Sequence, residues 1–497
     1  MKRGILSLLL TSQLLLLSIG TAMAGETETE GDFDFGALAP APSFEVAETS
    51  ENVEGVTLYV QGYEWGPGVP MLIVELKDEL DAVDGEGLLA ATANMDRTVT
   101  GVCLSDEKGN PVDGPSRYVT IAMETSSESS GSPFSYDLSI FMNKWSESYP
   151  VLIQAADFQV NGDYIDSRIC PDSEIFSDRG QHVGTYLNAF TGEEEEVTIR
   201  YAATEPEGLQ GGEKNPLVIW LHGQGEGGTD PDIEIIGNEV CALARDEIQS
   251  YFTAGDQTGA YILACQCETY WMDEGDGTNG NGSGVSRYTE ALMDTIKEFV
   301  SLHDDVDPNR IYLGGCSNGG YMTVNMLIHY PDYFAAAYPN CEAYAYWAFE
   351  KDEDGTYKRD ENGYIRTDEL WVTEEKIDAI KDIPIWFSCC INDPIVDPTL
   401  FVLPTYKALL EDGAENAYLS VFESALGTDS PGTEYMGHFV WIYTFNNQVT
   451  HVQDAAAIIA SADDDMTCGV TASNDGGGSL TCGDFANLFE WMNAQSK

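Results

Sequence analysis

Positive charge is scarce in this 497-residue chain: 23 lysines and arginines stand against 84 aspartates and glutamates, a formal net charge of −61. A field of that sign repels nucleic acid and anionic membranes, which excludes both as partners. It favours solubility and suits a salty or cation-rich medium. Histidine is scarce too, at six residues, so any imidazole base must come from a short roster. There is no Cys-x-x-Cys pair or His/Cys cluster that reads as a zinc site, and no EF-hand loop for calcium. The glycine-rich GEGGTDP lacks the Lys-Ser/Thr of a phosphate-binding P-loop. Beyond the first two dozen residues, no stretch is long and apolar enough to span a bilayer. No cofactor or metal is called for.

The first residues, MKRGILSLLLTSQLLLLSIGTAMAGE, combine Lys2 and Arg3, an apolar core and the small-x-small site Ala22-Met23-Ala24. They predict a secretory signal peptide over 1–24, cleaved near Ala24, and an exported protein, extracellular or periplasmic. No cysteine stands at the cleavage site, so no lipid anchor is expected. Export makes disulfides admissible among the eleven cysteines, with at least one left unpaired. Cys468 and Cys482 flank a Gly/Ser/Asp-rich stretch and are the expected bridge. Cys389 and Cys390 are adjacent on a strand end, point to opposite faces and are poor partners for each other.

Composition divides the rest of the chain. Residues 25–51 are acidic, with Ala-Pro repeats and no apolar period, and read as a disordered spacer. Residues 52–175 carry short β-rich runs (VTLYV, MLIVEL, VTGVCL, YVTIAM, YDLSIF and YPVLIQ) separated by turn-rich segments such as DEKGNPVDG. That pattern predicts an all-β sandwich. Its Tyr63 and Trp65 suit either a sugar platform or core. From 176 to 497 the strands PLVIWL, YILAC, IYLGG, IPIWFS and YLSVF alternate with helical stretches such as RYTEALMDTIKEFVSLH. Alternation of this kind predicts a doubly wound α/β sheet.

IYLGGCSNGGYM runs from Ile311 to Met322 and places Gly-x-Ser-x-Gly between a strand and a helix. Such a turn is a nucleophile elbow, with Ser317 at its apex. Serine is a weak nucleophile and needs a base, which in turn needs an orienting acid. The chain order Ser, acid, His leaves His438 and His451 as candidates. His438, in YMGHFVW, suits a packed loop; His451 stands near a helix start and suits the surface. The acid belongs in the loop after IPIWFS, where CCINDPIVDP offers Asp393, nearer the strand end, and Asp397 as fallback. A developing oxyanion needs two donors. The N–H of Asn318, after the nucleophile, is one; LHGQGEGG supplies the other, from Gln224 or Gly223. His222 precedes the serine, is in the wrong order for a base and reads as structural.

Four motifs thus occur in order: HGQGEGG, GCSNG, NDPIVD and GH. With them, the region from about Phe176 onward resembles the secreted esterases of the α/β-hydrolase class, the prolyl-oligopeptidase-like and polyhydroxybutyrate-depolymerase-like branch. The stretches NPLVIWLHGQGEGGTD, YILACQCETYW, DPNRIYLGGCSNGGYMTVNMLIHYPDYFAAAYPNC, IKDIPIWFSCCINDPIVDP, YMGHFVW and LFEWMNAQ carry the resemblance. Residues 52–175 are similar to the immunoglobulin-like domain that precedes some of these esterases. The resemblance implies an α/β-hydrolase domain after a smaller sandwich, with Ser317 as nucleophile, Asp393 as acid and His438 as base. It implies hydrolysis of a small or polymer-linked carboxylic ester through an acyl-enzyme. Two departures are visible. WFSCCINDPIVDP has cysteines where relatives often carry His-Gly, and Trp347–Thr373 and Asn446–Gly483 look like insertions, either lid elements or solvated loops. Two other readings stay open: a serine peptidase on the same fold, and an inactive hydrolase acting as a binding or adhesion protein.

Overall fold

The computed structural model describes residues 41–209, 211–352, 357–360, 363–461 and 466–497. The expected signal peptide and residues 25–40 of the expected spacer lie outside them. The chain divides into two compact units between Glu174 and Ile175.

The first unit has two main β sheets and a two-stranded hairpin, Phe134–Asp137 with Met142–Trp145. One sheet orders Arg168–Ile169, Val53–Tyr63, Gly66–Leu80, Ser116–Met123 and Val99–Ser105; the other orders Gln159–Asp163, Pro150–Gln154, Leu89–Thr92 and Met95–Arg97. Alternation drives the pairing: Val56, Leu58 and Val60 of one strand are buried while their neighbours are half-buried. Tyr63 and Trp65 are half-buried and stack on each other at 4.7 Å. Two expectations need correction. YDLSIF is no continuous strand: Phe134–Asp137 ends in a turn, with Phe141 at φ 52°. The spacer does not extend to 51. Ser43 N–H donates to the Asp96 carboxylate, Asn161 Nδ2 donates to the Val46 carbonyl at 2.6 Å, and Ser50 N–H donates to Gln159 O. Val46 is buried. Backbone hydrogen-bonding groups outweigh the acidic composition there.

The second unit is built on eight strands, β1 Asp178–Leu187, β2 Glu194–Thr204, β3 Asn215–Leu221, β4 Tyr261–Cys267, β5 Val306–Cys316, β6 Ala336–Asn340, β7 Ile385–Cys390 and β8 Ala417–Phe422. Their order is β1-β2-β4-β3-β5-β6-β7-β8. β1, β2 and β4 pair antiparallel, and every pair from β4 to β8 is parallel. Every residue of β3, β4 and β7 is buried, as strands covered on both faces must be. Helix α1 (Thr289–Leu302) buries Ala291, Leu292, Ile296 and Phe299 on its sheet-facing side, α2 (Asn318–His329) follows β5 directly, and α3 (Leu488–Asn493) is the last element. Parallel strands aim their carboxyl ends at one edge, and the loops there carry Gln224, Ser317, Asp393 and His438.

The expected Cys468–Cys482 bridge is absent: all eleven cysteines are free. Cys468 is exposed, whereas Cys482 is buried with a hydrogen bond to the Tyr418 hydroxyl. The other thiols are buried apart from the half-buried Cys103. They act as small apolar core residues. Among the described residues no helix is long and apolar enough to cross a membrane.

Candidate active site

Ser317 occupies the junction of β5 and α2 at φ 54°, ψ −112°, a positive φ that a non-glycine residue adopts only when its surroundings hold it there. Its N–H donates to Asn340 O at 3.0 Å, and its carbonyl accepts from Tyr321 N at 2.8 Å. The flanking glycines are steric requirements. A Cβ on Gly315 would stand 2.6 Å from the Leu221 carbonyl oxygen, and one on Gly319 would collide with the same peptide. Leu221 ends β3, so the glycines bring the elbow against the strand that feeds the HGQGEGG loop.

Asp393 and His438 meet. Asp393 lies in the turn after β7, and its Oδ2 is 2.8 Å from His438 Nδ1. Its Oδ1 accepts from the N–H groups of Ile395 and Val396 at 2.8 and 3.0 Å. Both side chains are buried. His438 sits in the 3₁₀ turn Gly437–Phe439, and a Cβ on Gly437 would clash with Asn392. The glycine before the histidine is what admits this close approach. Asp397 is elsewhere engaged: its Oδ1 accepts from the N–H and hydroxyl of Thr399 at 2.9 and 2.7 Å. His451 is half-buried on the short strand His451–Val452, with its Nδ1 2.9 Å from the Thr450 hydroxyl.

One residue at this junction carried no signal in the sequence. Cys341 follows β6, is buried at φ 37°, and donates its N–H to Ser388 O. Burial first and the Asp393 charge next push its thiol well up, while the Ser317 N–H acts in the opposite sense. The thiol therefore adjoins both the serine turn and the Asp393–His438 pair. Among the described residues, Cys341, Asp393 and His438 form the one group of donors close enough to hold a metal ion, within 4.8 Å of one another.

The HGQGEGG loop is anchored from below. His222 is fully buried; Cys267 N–H donates to its Nε2 at 3.2 Å, so its Nδ1–H donates to Gly223 O at 2.5 Å. Burial lowers its pKa to about 4, so it stays a neutral bracket for the loop. Gln224 begins the 3₁₀ turn Gln224–Glu226. The buried Glu226 side chain accepts from Asn238 Nδ2 at 3.0 Å. The side chains of the two expected donor residues, Gln224 and Asn318, are joined through a third, Asn279, for which the sequence held no signal.

Comparison with known proteins agrees with this architecture. The esterase Ig-like N-terminal domain matches residues 55–166, and the prolyl oligopeptidase family matches residues 271–384. The second unit has the α/β-hydrolase fold. A poly(3-hydroxyalkanoate) depolymerase C of Paucimonas lemoignei is 38% identical over 132 residues, 25% of this chain and 27% of its own length. A poly(3-hydroxybutyrate) depolymerase of Ralstonia pickettii is 30% identical over 125 residues, 24% of each chain. The chain thus spans about a quarter of the length of these relatives. A crystal structure of a thermostable esterase superposes with a TM-score of 0.56 at 23% identity, covering 80% of this chain and 97% of the other. The shared fold in that case includes both units.

Proposed function

We propose that the protein is an exported serine hydrolase of carboxylic esters, with Ser317 as nucleophile, His438 as base and Asp393 as orienting acid. The observation that carries this reading is the buried 2.8 Å hydrogen bond between Asp393 and His438 Nδ1, made at the same sheet edge as the strained serine turn. With Nδ1–H given to Asp393, Nε2 is the free lone pair that can take a proton. His438 removes the Ser317 hydroxyl proton as Oγ attacks the ester carbonyl. The N–H groups of Asn318 and Gln224 receive the oxyanion, each worth roughly 3–4 kcal/mol of barrier. His438 then protonates the departing alcohol, and water repeats the sequence on the acyl-enzyme to release the acid. Asp393 holds the tautomer and stabilises the imidazolium; two backbone N–H groups on its other oxygen keep it aimed.

The two depolymerase relatives favour a polymer-linked or short hydroxyacyl ester as substrate. Peptide hydrolysis is the second reading, favoured by the prolyl oligopeptidase match over 271–384. Turnover of p-nitrophenyl butyrate, poly(3-hydroxybutyrate) and an acyl-proline anilide decides between them. The proposal expects ester hydrolysis that vanishes in Ser317→Ala. Anilide cleavage without ester cleavage would replace it with the peptidase reading. A folded wild type inactive on all three would contradict both and leave the binding or adhesion reading.

A further inference from the structure

We propose that Asn279 is a positioning residue that locks the two oxyanion donors, Gln224 and Asn318, into one rigid unit; this rests on the ester-hydrolase reading above. The two donor residues lie on different loops, one after β3 and one after β5. β3 and β5 pair as far as Leu221 and Gly315, but Gln224 lies beyond that pairing, in the 3₁₀ turn Gln224–Glu226.

Three side-chain amides bridge that gap. Asn279 Nδ2 donates to Gln224 Oε1 at 3.1 Å, and Asn318 Nδ2 donates to Asn279 Oδ1 at 2.8 Å. At the far end, Met272 N–H donates to Asn318 Oδ1 at 3.2 Å. A backbone N–H can only donate, so Asn318 must turn its oxygen to Met272 and its nitrogen to Asn279. Asn279 must then offer its oxygen to Asn318 and its nitrogen to Gln224. The direction of the whole chain is set by one peptide group.

Asn279 is itself held from both sides. On the N-terminal side, the fully buried Asp273 accepts from the N–H groups of Gly275 and Gly277 at 2.8 and 2.9 Å and from the Thr269 hydroxyl at 2.8 Å. On the C-terminal side, Gly280 N–H donates to Met272 O at 3.1 Å, and Ala345 N–H donates to Gly282 O at 3.0 Å. A Cβ at Gly280 would strike the Met272 carbonyl, and one at Gly282, at φ +79°, would strike that of Ala343. The run of glycines in DEGDGTNGNGSG is what lets the loop lie this close. Its only polar side chain reaching both donor residues is Asn279.

The test compares Asn279→Ala, Gln224→Ala and the double variant on p-nitrophenyl butyrate. Asn279→Asp serves as a second variant: it keeps the acceptor for Asn318 but turns an oxygen on Gln224. Asn279 lies half-buried in a loop, so thermal unfolding should show folded variants. The expected result is a kcat lowered roughly ten- to a hundredfold by Asn279→Ala, with KM and the pH–rate profile unchanged because the His438–Asp393 pair is untouched. The double variant should be no slower than the slower single variant, since one linkage is being cut twice. Hydrogen exchange should quicken in the peptides that cover Gln224 and Asn318. Wild-type kcat in Asn279→Ala, losses that multiply in the double variant, or unchanged exchange would each overturn the proposal. Turnover that survives Ser317→Ala would instead remove the reaction assignment, and the exchange measurement would then judge the linkage alone.

Discussion

Asp393 and Asp397 stand four residues apart on one loop, and their carboxylates are occupied differently. Asp393 spends one oxygen on His438 and the other on two backbone N–H groups, whereas Asp397 closes a local turn on Thr399. Asp393→Asn is expected to lower kcat roughly 10⁴-fold by favouring the wrong imidazole tautomer. Asp397→Asn is expected to keep kcat within a few-fold and to cost about 1 kcal/mol of stability, as other capping losses do. Reversal of that order in a kinetic comparison would move the acid to Asp397. Glu342, beside Cys341, supplies a pH prediction. It is fully buried, Oε2 accepts from Tyr344 N at 2.7 Å, and Oε1 has no partner among the described residues. Burial raises its pKa from 4.5 to about 8. The folded protein therefore keeps it protonated while the unfolded chain ionises it. Its contribution to stability is complete below about pH 4.5 and is lost as pH rises through about 8. Glu342→Gln removes that slope, so the Tm of the variant relative to wild type should rise between about pH 5 and about pH 8. A Tm difference independent of pH would show that Glu342 is ionised in the fold.

The elbow is a property of β5, α2 and β3 together. Gly319 carries no side chain because the Leu221 peptide occupies that space. Gly319→Ala is expected to destabilise the second unit by more than about 3 kcal/mol, or to prevent folding, through overpacking against backbone that cannot yield. Equilibrium denaturation measures it, and a near-neutral result would mean the elbow is not packed as described. Much at this scale was legible in the sequence. PLVIWL, YILAC, IYLGG, IPIWFS and YLSVF all became strands of the central sheet, because continuous apolar runs bounded by turn residues admit few alternatives. RYTEALMDTIKEFVSLH became α1 on its apolar period. Leu89–Thr92, Met95–Arg97 and Gln159–Asp163 were not legible. They are short, and two of them carry charged residues whose place in a sheet depends on partners distant in sequence. Asn279 escaped for the same reason: its partners are 55 and 39 residues away, and an asparagine among glycines reads locally as a turn.

At the scale of the whole molecule, composition and motif order are separate signals. The formal charge is −61, while Asp393 and His438 are buried and paired with each other. Cysteine was the weakest guide. Spacing suggested a Cys468–Cys482 bridge, but one thiol is exposed and the other is buried beside Tyr418, a separation of environments that sequence spacing does not encode. The order HGQGEGG, GCSNG, NDPIVD, GH is a signal of a different kind, because the topology carries each motif to the same sheet edge. The central claim is that Ser317 is the nucleophile made reactive at that edge. The most direct test is to treat the wild-type protein and Ser317→Ala with a fluorophosphonate, digest, and locate the adduct by mass spectrometry. One adduct per chain, on Ser317, with ester hydrolysis lost in parallel and no adduct on the variant, is the predicted result. An adduct on another residue, or an unlabelled wild type that still hydrolyses esters, would contradict it.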